Sequence, residues 1–140
     1  MIGAAFDTNV VVSAFLNEDG LEATAVDLAL AGELQLFVSE AILAEYETTL
    51  SRPKFKISPE EVKELVAALR QVATIVEPTE TLTISPHEAD NRFLECVEVA
   101  QADFLITGNK RHFPAEWKGT RIVNAREFFN LIDLKTDEPA

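Results

Sequence analysis

Apolar and polar residues alternate in blocks along the chain, and the period changes from block to block. Residues 2–6 form a short apolar run stopped by Asp7, too short for a helix and suited to a strand buried on both faces. Residues 10–16 continue apolar as a first turn or two of helix, with Thr8 or Asn9 near its cap. After Gly20, a helix over 21–31 collects Leu21, Ala25, Leu28 and Ala29 on one face, and Gly32 stands where a helix C-terminus favours glycine. Residues 34–38 read as a second strand.

Ser39 is the N-cap of a helix to Leu50, with Ile42, Leu43, Tyr46 and Leu50 at helical spacing. Ser58-Pro59-Glu60-Glu61 combines a capping box with an N1 proline and opens a helix carrying Val62, Leu65, Val66 and Leu69. Residues 74–76 form a third short strand. Ser85-Pro86-His87-Glu88 repeats the helix-start signal and leads into Phe93, Leu94, Val97 and Ala100. Residues 104–107 and 121–123 are strands four and five, and Asn124 with Glu127 caps a last helix through Phe128, Leu131 and Ile132. Nothing resembles a two-residue hairpin turn. Strands that alternate with helices predict an α/β fold: a single-domain sandwich with a mainly parallel central sheet of about five strands, flanked by helices. The domain is expected over 1–133, with a polar, frayed tail over 134–140.

Composition narrows the class. The chain has 140 residues, 47% hydrophobic and 26% charged, which is one globular domain rather than a disordered chain. No apolar stretch is long enough for a membrane span, and Asp7 and Asn9 break the apolar N-terminus, so no signal peptide is expected. Cys96 is the single cysteine, which fits a reducing, cytoplasmic setting. Acidic residues outnumber basic ones 24 to 12, and a net charge of −12 disfavours a sequence-independent coat on nucleic acid. Such acidity is either a solvated surface or, in part, a place where a cation or basic partner binds.

In sheets of this kind, sites form beyond the carboxyl ends of the strands. Asp7 follows strand one, Ser39 and Glu40 follow strand two, and Asn109 follows strand four after Thr107-Gly108. Asp90 precedes Phe93, Leu94 and Val97 at helical spacing and so projects from the apolar stripe. Glu45 likewise flanks Ile42 and Tyr46. A carboxylate on a core-facing stripe is costly unless a cation or strong donors satisfy it, and several converging carboxylates call for a hard divalent metal. Singly, each has a structural alternative. Asp7 can cap the next turn, Asp90 can sit on its own helix N-terminus, and Glu45 can pair with Arg52. Asp103 begins strand four, a strand length of roughly 15 Å from that edge, and reads as structural.

Asp7-Thr8-Asn9-Val10, Ser39-Glu40 through Glu45, Asp90-Asn91-Arg92-Phe93-Leu94-Glu95 and Ala102-Asp103-Phe104-Leu105-Ile106-Thr107-Gly108-Asn109 together resemble a PIN domain, nearest the prokaryotic toxin components of toxin–antitoxin systems related to VapC. The resemblance spans about residues 1–133. It implies a ribonuclease dependent on Mg²⁺ or Mn²⁺, with Asp7 and Asp90 as principal metal ligands and Glu45 as ligand or water-orienting base. It places Asn109 where the family often has a fourth carboxylate, so that ligand is neutral here and a second ion would bind less well. Asn9 and Thr107 match positions that orient the carboxylates. The implied partners are an RNA substrate, an antitoxin that covers the acidic cleft, and a second copy in a homodimer.

Lys110 and Arg111 follow Asn109 and either hold phosphates of single-stranded RNA or belong to a solvated loop. Arg52 and Lys54 form a second basic patch. His112 is a loop hydrogen-bonder or a catalytic acid, and His87 reads as a surface residue. Phe113, Trp117, Phe128 and Phe129 read as core or interface, and Cys96 as inert. Two other classes compete. A phosphatase of the haloacid-dehalogenase type needs a second aspartate two residues after the first, where Asn9 stands, and a receiver-like phosphotransfer domain lacks its Asp and Lys at later strand ends. A non-catalytic module that keeps the PIN fold is compatible with Asn109.

Overall fold

The computed structural model describes residues 1–136 of the chain. The first strand, β1 (Gly3–Phe6), has no polar side chain and is buried along its whole length. It can therefore sit only in the middle of a sheet covered on both faces. It is followed by α1 (Thr8–Leu16), α2 (Leu21–Leu30), β2 (Gln35–Val38), α3 (Glu40–Leu50), α4 (Pro59–Val72) and β3 (Thr74–Ile75). Then come α5 (Glu88–Ala100), β4 (Phe104–Ile106), β5 (Glu116–Trp117), β6 (Thr120–Val123) and α6 (Ala125–Thr136). Short 3₁₀ turns occupy Pro53–Phe55 and Lys110–His112. Residues 137–140, most of the tail expected as frayed, lie outside the described residues.

The strands lie in the order β3-β2-β1-β4-β6-β5, all neighbours parallel except the β5–β6 pair. Helix α5 packs on β1, β2 and β4, and α6 packs on β4 and β6. Helix α1 touches β1 and joins α2 and α3, which α4 bridges in turn. Phe6, Leu36, Tyr46, Phe93, Leu94, Leu105, Ile106 and Phe128 are fully buried between these layers. This is the α/β sandwich expected, with helices flanking a mainly parallel sheet.

Three helix starts form by the chemistry read from the chain. The Ser39 hydroxyl accepts from the Ile42 N–H at 3.2 Å, and Ser58 accepts from the Glu61 N–H at 3.2 Å. Asn124 and Glu127 cap reciprocally, each side chain accepting the other's N–H, at 2.8 and 3.0 Å. Gly32, at φ +77°, closes α2 as expected.

Two expectations need correction. The described sheet has six strands, because Glu116-Trp117 and Thr120-Arg121 pair antiparallel around the two-residue turn Lys118-Gly119. Both turn residues have positive φ, +47° and +90°, the requirement of the tight hairpin turns that match strand twist. Lysine is an unusual residue there. Its ammonium lies 2.7 Å from Glu98 of α5 and over the Trp117 ring, which offsets the strain. Second, Ser85 does not cap α5, which starts at Glu88 with His87 in the cap position. The buried Asn91 side chain accepts the N–H groups of Ile84 and Ser85 and donates to the Ser85 carbonyl, holding that stretch off a helical course.

Candidate active site

Neighbouring strands leave β1 on opposite sides, toward β2 and toward β4, so the connections diverge and open a crevice beyond the carboxyl ends of β1 and β4. The parallel register pairs Phe6 with Ile106, which brings the next residues, Asp7 and Thr107, side by side. The Asp7 N–H continues the ladder to the Ile106 carbonyl, and the Thr107 hydroxyl donates to Asp7 Oδ2 at 2.7 Å. A one-residue slip of the pairing would turn Thr107 to the other face of the sheet. Asn9 Oδ1 accepts the Gly108 N–H at 3.0 Å, tying the α1 start to the β4 end. The Asn109 N–H closes onto the Thr107 hydroxyl at 2.9 Å.

Two helices carry the other carboxylates to this crevice. Tyr46 of α3 is fully buried and its hydroxyl donates to the Phe6 carbonyl, which pins α3 to the end of β1 and sets the adjacent Glu45 beside Asp7. Asp90 stands in the first turn of α5, 14% exposed, on the stripe shared with Phe93 and Leu94. Asp7, Asn9, Glu45, Asp90 and Asn109 all line one open cleft of about 540 Å³. Asp103 lies at the opposite edge, where its carboxylate accepts the Gly3 N–H at 2.8 Å.

The cleft is electrostatically frustrated. Asp7 is 5% exposed, and burial pushes its carboxyl up to about 6, aided by the Asp90 and Glu45 charges and opposed by the Thr107 hydroxyl. Burial and the Asp90 charge also raise Glu45, against the Thr8 hydroxyl and Arg52. Burial raises Asp90, with His112 and then His87 acting against it. Among the described ion pairs, none involves Asp7 or Glu45. The Thr8 hydroxyl, buried at the same cleft, is near Glu45 but makes no well-formed hydrogen bond among the described residues. Carboxylate, amide and hydroxyl oxygens, with no described ion pair to Asp7 or Glu45, are the donor set of a hard divalent ion, so the residues present fit Mg²⁺ or Mn²⁺.

The two histidines were underrated by sequence reasoning. His112 Nδ1 lies 3.1 Å from Asp90 Oδ2, and the His87 and His112 rings stack with centroids 3.9 Å apart. Both line the cleft. Asn91, fully buried, has no role readable from the sequence beyond its place in the Asp90–Glu95 motif, although its grip on Ile84 and Ser85 holds the segment that delivers His87. The only sequence signal was an asparagine amid the apolar stripe of α5. Among the basic residues, Arg52 lines the cleft, whereas Lys110 pairs with Glu127 at 2.9 Å and Arg111 is exposed beside it.

The PIN domain family model matches residues 4–111, more than three-quarters of the chain. This chain belongs to the PIN domain family, whose members are generally nucleases and typically use divalent metals. It is 27% identical, over 99% of its length and 87% of the relative's, to an uncharacterized protein of Methanocaldococcus jannaschii. Its fold is similar to a chain of the crystal structure of VapBC2 from Rickettsia felis bound to a DNA fragment from their promoter. That match has TM-score 0.57 and 16% identity, and covers 88% of this chain and 98% of the other. Among the described residues, no helix is long and apolar enough to cross a membrane.

Proposed function

We propose that this protein is a Mg²⁺- or Mn²⁺-dependent endoribonuclease that hydrolyses phosphodiester bonds of single-stranded RNA, and that it is the toxin of a type II toxin–antitoxin pair working in the cytoplasm. One observation carries the reading. Three carboxylates from distant stretches, Asp7, Glu45 and Asp90, line one cleft at the carboxyl edge of the sheet, and among the described residues no basic side chain forms an ion pair with Asp7 or Glu45. The antitoxin part is supported by the likeness of fold to VapBC2 and by the net charge of −12, which suits a basic segment laid over an acidic cleft. A homodimer belongs to the same reading.

Asp7 and Asp90 would hold the ion, with Glu45 and the neutral Asn109 completing the oxygen set. When bound, the ion supplies Lewis-acid stabilisation of charge on phosphate and acidifies water. The chain's own residues do the rest. The Thr107 hydroxyl orients the Asp7 carboxylate, and Asn9 holds the Gly108 backbone so that the two strand ends keep their spacing. Glu45, its carboxyl raised by burial, is placed to take a proton from attacking water. Arg52 at the cleft, and Lys110 and Arg111 beyond it, offer phosphate contacts.

The test is a mixed RNA panel incubated with Mg²⁺, Mn²⁺ or EDTA. Metal-dependent internal cleavage is expected, and Asp90→Asn should lower it on the order of a hundredfold or more, since it removes a ligand. Cleavage that persists in EDTA, or in the variant at full rate, contradicts the assignment. A second reading, a binding module that keeps the fold, draws support from the neutral Asn109. It predicts no Mn²⁺ binding by calorimetry.

A further inference from the structure

We propose that His87, Asp90 and His112 form a further metal site, sharing Asp90 with the acidic trio, which takes a borderline transition ion such as Zn²⁺ or Co²⁺ through two imidazole nitrogens and one carboxylate oxygen. The ligand atoms of these three side chains all lie within 4.8 Å of one another. The three carboxylates Asp7, Glu45 and Asp90 are not grouped within that distance. Donor chemistry divides the cleft accordingly. The Asp7 and Glu45 side is all oxygen, whereas the His87 and His112 side offers nitrogen, which favours zinc-like ions over magnesium. Asp90 stands between the two.

The fold delivers these ligands from separate places. His87 and Asp90 are three residues apart at the start of α5 and so share one face of it, while His112 comes from the 3₁₀ turn after β4. The His87 N–H is held by the Ser85 hydroxyl at 3.2 Å, and Ser85 by the buried Asn91, so the backbone beneath the site is fixed. The 3.1 Å separation of His112 Nδ1 and Asp90 Oδ2 is close to the spacing of about 3.3 Å between ligands around a tetrahedral ion with bonds of about 2.0 Å. The two rings are stacked rather than splayed, so metal entry turns the exposed His87 ring until both lone pairs meet. The remaining position is open to the cleft, which suits water or a phosphate oxygen. The chain contains two histidines in all, and the structure brings both to one carboxylate.

That composition makes the test clean, and it needs no RNA, so its outcome is separate from that of ribonuclease activity. The full chain, produced without a polyhistidine tag and labelled with ¹⁵N, is titrated with Zn²⁺ alone while the ring nitrogens are followed by NMR. Both histidine signals should shift together and saturate at about one equivalent, and Co²⁺ should give a visible d–d spectrum. His87→Gln and His112→Gln should each weaken Zn²⁺ binding about tenfold or more, and Asp103→Asn, at the opposite edge of the sheet, should leave it within about twofold. If either ring in the unaltered protein ignores Zn²⁺, or if the double variant H87Q/H112Q binds as tightly as the parent, the site does not exist and the histidines are a hydrogen-bonded pair only.

Discussion

Strands β1 and β4 lie side by side, and each end of the pair carries an aspartate, yet the two behave differently. At the amino edge, Asp103 is exposed and its carboxylate accepts the Gly3 N–H. At the carboxyl edge, Asp7 is 5% exposed and accepts the Thr107 hydroxyl, and two further carboxyls line the same cleft. The first is an anion given a donor and left in water. The second is an anion taken out of water and set among like charges, which raises its carboxyl to about 6. A parallel sheet teaches why. Its amino edge offers N–H groups to an anion, while its carboxyl edge offers carbonyls, so an acid placed there must look to hydroxyls, helix starts or a metal.

The strongest way to break this contrast is Asp7→Asn. Asp7 has a raised folded-state pKa, so between pH about 4 and 6 the folded protein binds more protons than the unfolded chain, and its contribution to stability falls as pH rises through that window. Above pH 6 the cost is fully present. In the absence of metal, Asp7→Asn is therefore expected to stabilise the protein at pH 7 by about 1–3 kcal/mol, and the gain should vanish toward pH 4. Urea melts of the two proteins across that range measure it. The same variant should lose metal-dependent cleavage. A destabilised variant at pH 7 would mean that Asp7 is a structural acid like Asp103.

A smaller effect sharpens the contrast from the other side. Asn109→Asp adds a fourth carboxylate to the cleft, so the metal-free protein should lose about 1 kcal/mol while Mn²⁺ affinity rises several-fold. Isothermal calorimetry with Mn²⁺ reads the second quantity. The smallest change is expected at the opposite edge. Asp103→Asn gives up one hydrogen bond at an exposed position, which should cost under about 1 kcal/mol and leave Mn²⁺ affinity unaltered. A large loss of affinity there would show that the two edges are coupled through the strands.

Much of the fold was legible because local chemistry and tertiary structure agree. Ser39, Ser58, Asn124 and Gly32 act where their side chains or conformational freedom predict, since caps and glycine turns involve residues only a few positions apart. Ser85 looked the same and failed, because Asn91 bonded the backbone that a helix would have used. The β5–β6 hairpin was invisible for a related reason. Its strand is two residues long, and its turn uses a lysine held by Glu98 from α5 rather than an asparagine. Of the site, Asp7, Glu45 and Asp90 were readable as acids on apolar stripes or at a strand end. The roles of Asn91 and Tyr46 were not, since each depends on which backbone atom lies opposite.

What the order of residues determined by itself was the alternation of strand and helix, the buried centre at β1 and the chemical types available at each strand end. Those follow from side-chain period and capping, which act over a few residues. Only the tertiary structure decided that Phe6 pairs with Ile106, so that Thr107 reaches Asp7, and that α5 meets the turn after β4, so that His112 joins His87 at Asp90. Register and helix docking are set by packing of the whole core, and a side chain's chemistry depends on the neighbours that packing assigns to it.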